Sequence, residues 1–212
     1  MSRQSSLRAR TKRRLFGIDR TGPPPKPTRA GQPLRPLTIP NAIGFVRLAL
    51  IPVFLDLACS SADGHDTVAA AIFAAIGWGD YLDGFTARLT GQFSRLGALL
   101  DPVIDRMLVV SGMVVAWDFR LLPRWALAVV IVRELTMLVL SRLSLRRGID
   151  IKISWLGRLG VAPTMGAPFF AMLDVHWLAL VLLYVGMSLA LAATAQYMRS
   201  GLIEARKLSS SD

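Results

Sequence analysis

The sequence predicts an all-α, polytopic membrane protein with six transmembrane helices and a polar site that faces the cytoplasm. Two observations support this prediction. Hydrophobic residues make up 53% of the 212-residue chain and gather into long blocks, each close to the roughly 20 residues that a helix needs to cross about 30 Å of hydrocarbon. Basic residues gather in alternate connections between these blocks, which is the usual determinant of membrane topology.

The N-terminal arm, residues 1–36, is basic and rich in proline, and we expect it to be disordered and cytoplasmic. It carries ten Lys/Arg residues against one acid, Asp19. The run Pro23–Pro27 disfavours a helix there, and no apolar segment follows the first charges closely enough to predict a cleavable signal peptide. We expect a membrane domain at residues 37–200 and a polar cytoplasmic tail at residues 201–212.

Six hydrophobic spans are predicted within this domain. Their approximate limits are residues 41–59, 67–90, 96–117, 123–143, 153–173 and 177–198. Each span is expected to be a helix, because backbone polar groups in hydrocarbon must be bonded within their own segment. The second span becomes charged toward its end, and the third begins with charge.

The distribution of charge predicts the orientation of the spans. The outer connections and their flanks hold only Arg120 and Arg124, whereas the other 23 of 25 Lys/Arg residues fall elsewhere. The positive-inside rule then puts both termini, and the segment between spans two and three, on the cytoplasmic side of a cell membrane. The net charge of +11 is thereby explained by topology, and no nucleic-acid partner is expected. The single cysteine, Cys59, cannot supply a disulfide framework.

Four aspartates lie where spans two and three meet the cytoplasm. Helical spacing puts Asp80, Asp83, Gly84, Ala87 and Arg88 on one face of span two, and Gly97, Asp101 and Asp105 on one face of span three. Four unpaired carboxylates would cost on the order of 10 kcal/mol within a membrane, and they repel one another. Divalent cations fit best, and all-oxygen ligation favours Mg²⁺ or Mn²⁺. The alternatives are partial neutralisation by Arg88 and Arg106, or a water-filled cavity.

Small residues shape the same face. Gly84 and Ala87 leave space beside the acids, and Gly97 allows a helix or a ligand to come close. Pro102 removes one helical hydrogen bond and is expected to bend the third span. Such a face would admit a bulky anionic ligand, such as a nucleoside diphosphate, beside metal ions.

The spacing of these residues resembles the signature of a known family. The pattern is Asp80-x2-Asp83-Gly84-x2-Ala87-Arg88-x8-Gly97-x3-Asp101-x3-Asp105, and it is similar at all eight fixed positions to the CDP-alcohol phosphotransferases (class I CDP-alcohol phosphatidyltransferases). The resemblance extends to Ile39-Pro40-Asn41 and Arg47 in span one, and it covers the membrane domain. It implies six transmembrane helices, a homodimer, and transfer of a phosphatidyl group from CDP-diacylglycerol to an alcohol with release of CMP.

The resemblance also implies a role for each residue of the signature. Metal ligands would be Asp80, Asp83, Asp101 and Asp105, holding Mg²⁺ or Mn²⁺ as two ions. Asp105 would in addition be the catalytic general base. The CDP-lipid would be bound by Gly84, Ala87, Arg88 and Gly97.

The acceptor alcohol is indicated less directly. Leu100-Asp101-Pro102, Arg133-Glu134 and Trp155-Leu156-Gly157 are similar to bacterial phosphatidylglycerophosphate synthases and cardiolipin synthases. We expect glycerol 3-phosphate as the acceptor, with phosphatidylglycerol as the alternative. Arg133 and Arg158 are the candidate acceptor-binding residues, since a charge beside an apolar run must face a partner or a cavity. The Arg158 position departs from the lysine usual in the family, and the two are not interchangeable at phosphate sites.

A function of another class, a divalent-cation carrier, would also use four acids within a membrane. It would not explain Gly84, Ala87 and Gly97 at fixed spacing, and a cation path gains nothing from Arg88. A nonenzymatic member of the family is a further alternative, although all four acids are intact.

Overall fold

The computed structural model describes residues 33–146 and 155–209. These residues form six α-helices and no strand, so the predicted all-α class is confirmed for them. The helices are α1 (Ile39–Ser60), α2 (Thr67–Thr90), α3 (Arg95–Asp118), α4 (Arg124–Arg146), α5 (Trp155–Met172) and α6 (His176–Ser209). Each predicted span corresponds to one helix. The sixth continues to Ser209, well into the segment predicted as a polar tail, while the arm through residue 32 lies outside the described residues.

Two of these helices are long and apolar enough to cross a membrane. The stretches are Ile39–Ser60 and His176–Arg199, with mean hydropathy of 2.0 and 2.2. Only 28% and 33% of their apolar windows is buried inside the protein, whereas a core helix would be mostly buried. The prediction of six spans is therefore not confirmed by length and composition. One physical reason that α2 and α3 do not qualify is their charge, because they carry the four aspartates.

Two compact units divide the described residues, and α1, α2 and α3 each contribute to both. The first unit contains the described residues through Phe54 together with Ile72–Leu108. Its core includes Phe54, Phe73 and Ile76, and the two phenylalanine rings pack with centroids 5.2 Å apart. All four aspartates of the signature belong to this unit.

The second unit contains Leu55–Ala71 and the described residues from Val109 onward. Within it α5 packs closely along α6. A Cβ atom on Gly186 would lie only 2.8 Å from the backbone nitrogen of Thr164, so glycine allows the two helix backbones to approach.

Helix ends in the first unit position the site. Gly91 adopts a left-handed φ of 67° directly after α2, a conformation that glycine adopts without steric cost. The side chain of Ser94 then caps α3, because its Oγ accepts a hydrogen bond of 2.9 Å from the backbone nitrogen of Gly97. The short connection brings the last turns of α2 and the first turns of α3 together.

Candidate active site

The four aspartates occupy facing ends of α2 and α3. Asp83 is almost completely buried, at 4% exposure. The side chains of Asp80 and Asp105 are 47% and 36% exposed, and Asp101 is half-buried. The acids thus extend from the protein interior toward the surface.

A cation from a third helix lies among them. The side chain of Arg47, in α1, is only 2% exposed, and its Nη1 donates to Asp83 Oδ2 at 2.8 Å while its Nη2 donates to Asp105 Oδ1 at 2.7 Å. Its Nε donates to the backbone oxygen of Ile76 at 2.9 Å, and Asp80 Oδ1 lies 3.5 Å from Nη1. Charge-assisted bonds from a planar guanidinium are strong and directional. One side chain therefore ties α1, α2 and α3 together.

The arrangement of the acids bears on metal binding. In the described part of the chain, no three His, Cys, Asp or Glu side chains are gathered as a ready-made metal site. Three of the four carboxylates instead meet Arg47. Their donor set still fits a hard divalent cation, because it consists of carboxylate oxygens. Arg47 and the neighbouring Arg106, which interacts electrostatically with Asp105, supply two positive charges against four negative ones.

A groove runs beside the aspartates. It contains about 530 Å³ of space, which includes solvent at its open side. Its lining residues are Pro40, Asn41, Asp83, Gly84, Ala87, Arg88, Gln92, Phe93, Ser94, Gly97, Ala98 and Asp101. The four residues predicted to bind a CDP-lipid are thus together in one concave surface with two of the four acids.

Asn41 at the start of α1 forms one edge of this groove. Its side chain is buried and donates to the backbone oxygens of Arg35 and Pro36, both at 3.0 Å, while its Oδ1 accepts a bond of 2.7 Å from Ser94 Oγ. A Cβ atom on Gly97 would lie 2.8 Å from Asn41 Oδ1. The close approach expected at Gly97 is therefore made by a side chain of α1.

Arg133, a predicted acceptor-binding residue, lies in the second unit and has protein partners. Its Nε donates to Thr194 Oγ1 at 3.0 Å, and its Nη1 pairs with Glu134. The Arg133 and Glu134 side chains are only 14% and 11% exposed. The partner expected for a charge in this helix is thus Glu134, and acceptor binding by Arg133 stays a prediction. The side chain of Arg158 lies outside the described residues.

The sequence predictions gave no functional role to Arg47, Asn41 or Ser94. A signal for Arg47 was present, because a charge inside an apolar helix must face a partner. The sequence does not predict which residue is that partner, because Asp83 and Asp105 follow 36 and 58 residues later. Ser94 is separated from Asn41 by 53 residues and carried no comparable signal.

The comparison with known families agrees with this geometry. The sequence model of the family described as CDP-alcohol phosphatidyltransferase matches residues 37–195. That segment contains the groove, the four aspartates and Arg47. The chain belongs to the CDP-alcohol phosphatidyltransferase family. Enzymes of this family are membrane-bound, in agreement with the two apolar helices.

Three relatives of this chain carry names of two different activities within the family. A Streptomyces coelicolor protein named cardiolipin synthase (CMP-forming) is 34% identical over 175 residues, 80% of this chain and 81% of that protein. Two proteins named CDP-diacylglycerol–glycerol-3-phosphate 3-phosphatidyltransferase also match. The Shigella flexneri protein is 29% identical over 76% of this chain and 92% of its own length. The Bacillus subtilis protein is 28% identical over 57% of this chain and 69% of its own length.

The hydrogen bond between Asn41 and Ser94 should be measurable as a coupling between two substitutions. Asn41→Ala and Ser94→Ala should each lower the free energy of unfolding by about 1–3 kcal/mol, because each leaves a buried polar group without its partner. The double variant should lose less unfolding free energy than the sum of the two single losses, by about 0.5–3 kcal/mol. Thermal unfolding in detergent would measure this.

Thr90→Ala is the control for this cycle. Thr90 is exposed and lies in the same region, where its Oγ1 bonds to Thr86 and Gln92 but not to Asn41. Its effect should add to that of Asn41→Ala. If the effects of Asn41→Ala and Ser94→Ala were also simply additive, the assigned hydrogen bond would be contradicted.

Proposed function

We propose that this protein transfers a phosphatidyl group from CDP-diacylglycerol to glycerol 3-phosphate, and releases CMP. The observation that carries the proposal is the groove, in which Gly84, Ala87, Arg88 and Gly97 line one surface together with Asp83 and Asp101. Small residues leave room for a nucleotide, and Arg88 brings a positive charge for its phosphates.

Asp80, Asp83, Asp101 and Asp105 would hold the divalent cations, Mg²⁺ or Mn²⁺. Arg47, Arg106 and the groove-lining Arg88 offset only part of the charge of the four carboxylates, and the negative charge that remains favours a divalent ion. The diphosphate of the lipid donor adds further negative charge, which supports a second ion. When bound, such ions stabilise charge on the attacking and leaving oxygens of a phosphoryl displacement.

Asp105 is proposed as the general base. Its Oδ1 accepts the hydrogen bond from Arg47, and its side chain is partly exposed, so its Oδ2 can accept the proton of the acceptor hydroxyl. The acceptor oxygen attacks the phosphorus that carries diacylglycerol, and a new P–O bond forms. The phosphoanhydride bond breaks, and its electron pair leaves with CMP. The protein supplies position and charge rather than a covalent intermediate.

Phosphatidylglycerol is the second candidate acceptor, and its product would be cardiolipin. It is supported by the Streptomyces coelicolor relative, which is named for that product and aligns over 80% of this chain. Both acceptors offer a glycerol hydroxyl close to a phosphate, so the same donor chemistry serves either one. Arg133 and Arg158 remain proposed contacts to the acceptor phosphate.

A six-span topology in a cell membrane, with both termini and the site in the cytoplasm, is part of the proposal. Its support is the charge asymmetry and the position of three tryptophans at helix ends on the proposed outer side. Trp117, Trp125 and Trp177 are 38%, 59% and 69% exposed, as expected for residues at a membrane interface. The homodimer implied by the resemblance stays a prediction.

The direct test supplies purified protein with CDP-diacylglycerol, Mg²⁺ or Mn²⁺, and one acceptor at a time. CMP release should require both the metal and glycerol 3-phosphate, and mass spectrometry of the lipid should identify phosphatidylglycerophosphate. If CMP were released only with phosphatidylglycerol, and cardiolipin were the product, phosphatidylglycerol would be the acceptor and glycerol 3-phosphate would be excluded. Absence of CMP with both acceptors, together with metal flux across liposomes, would overturn the transferase function in favour of cation transport.

Replacement of the base should remove activity without removing the fold. Asp105→Asn keeps an oxygen that can accept the bond from Arg47, but it cannot take up a proton. We expect CMP release to fall by at least about 10²-fold, with an unchanged elution profile in detergent. Asp118→Asn, at the exposed end of the same helix, should retain wild-type activity. Full activity of Asp105→Asn would exclude the proposed base.

The native cysteine allows a test of topology. Cys59 is exposed at the end of α1, on the side proposed to face away from the cytoplasm. A membrane-impermeant maleimide should label it in intact bacterial cells. A Cys59→Ala variant with a cysteine introduced at Thr90 should be labelled only after the membrane is opened. The reverse pattern would contradict the orientation.

A further inference from the structure

We propose that Arg47 is a positioning residue, which orients the carboxylates of Asp83 and Asp105 for divalent-metal binding, and that Gly79 provides the space through which its side chain reaches them. The inference rests on the proposed metal site of the transferase. It assigns a task to two residues that contribute neither a metal ligand nor a contact to the substrate.

The first argument is the number of bonds that fix the guanidinium. Nε, Nη1 and Nη2 of Arg47 each donate to a different oxygen, at 2.9, 2.8 and 2.7 Å. The acceptor of Nε is the backbone oxygen of Ile76, which belongs to helix α2. The bond to Ile76 fixes the orientation of the planar guanidinium. The guanidinium in turn fixes the position of one oxygen of Asp83 and one oxygen of Asp105.

The second argument is independent and concerns the path of the side chain. Gly79 is buried, and a Cβ atom there would lie 2.7 Å from Cδ and 2.8 Å from Cγ of Arg47. Real Cβ atoms essentially never come so close to another heavy atom. The clash cannot be relieved by moving the end of the side chain, because that end is held by three hydrogen bonds. Helix α2 thus has a glycine at the position where the arginine crosses it.

Arginine is specifically suited to this position. Its planar fork reaches two carboxylates and a carbonyl at the same time, whereas the single ammonium group of lysine is a compact point charge. Groups that hydrogen-bond to metal-binding carboxylates orient them, and their replacement typically weakens metal affinity or activity by about 10–100-fold. Arg47 would act in this way from the α1 side of the acids.

Two substitutions separate orientation from charge. Arg47→Lys keeps the positive charge and loses the fork, while Gly79→Ala keeps Arg47 itself and displaces its side chain. Gly44→Ala is the matched control, because it adds a methyl group to α1 one turn before Arg47, where the nearest contact, to Ile104 Cδ1, is an ordinary 3.8 Å. The formal charge of the site is equal in all four proteins.

The binding of Mn²⁺ to the purified full-length chain in detergent is measured without substrate, by the loss of the sharp electron paramagnetic resonance signal of free Mn²⁺. We expect Arg47→Lys and Gly79→Ala to raise the dissociation constant by about 10–100-fold, and Gly44→Ala to leave it at the wild-type value. CMP release by Gly79→Ala should be recovered at saturating Mn²⁺. Melting temperatures in EDTA are recorded in parallel.

If Arg47 had a purely structural role, Arg47→Lys and Gly79→Ala would both melt at a lower temperature in EDTA but bind Mn²⁺ with unchanged affinity. That result would overturn the inference. Failure of the wild-type protein to bind Mn²⁺ would also overturn it. The transferase function is judged separately by CMP release. A protein that binds Mn²⁺ with the expected pattern, but releases no CMP with either acceptor, would retain the role of Arg47 and lose the proposed reaction.

Discussion

The hydrogen bonds from Arg47 to Asp83 and Asp105 are the interaction on which the site depends. Four carboxylates on α2 and α3 repel one another, and a buried charge without a partner, as Asp83 would be, is costly. The attraction between unit charges 4 Å apart is about 4 kcal/mol at an effective dielectric constant of 20, which is large enough to offset such a cost. A single buried cation, shared by three helices, allows α2 and α3 to meet through their acidic faces.

Much of this arrangement could be predicted from the sequence, because it follows from local spacing. Hydrophobic blocks indicated the helices, and the interval of three or four residues put the acids of each helix on one face. The same spacing explains why Gly84, Ala87 and Arg88 line the groove beside Asp83. The contacts that hold the faces together could not be predicted, since Arg47 and Asn41 meet partners 36 to 58 residues away. Periodicity identifies a face but not the helix that packs against it.

The donor and the acceptor halves of the reaction differ in how far they can be assigned. The donor is indicated by a set of eight residues on α2 and α3, six of which line the groove. The acceptor was predicted from short stretches of sequence similarity. Of the two cations predicted to bind it, Arg133 has two partners within the protein. A half-buried arginine that is already paired has a structural explanation without a phosphate ligand. Relatives named for two different reactions match this chain, which agrees with a common donor site.

The most direct measurement is the position of the metal in a crystal of the protein grown with Mn²⁺ and a CDP-lipid. Anomalous scattering should locate Mn²⁺ among Asp80, Asp83, Asp101 and Asp105, with the nucleotide in the groove beside Gly84 and Arg88. Arg47 should still bond to Asp83 and Asp105 in that state. Manganese bound elsewhere, with the four carboxylates occupied only by Arg47 and water while the crystals convert the lipid, would contradict the proposed site.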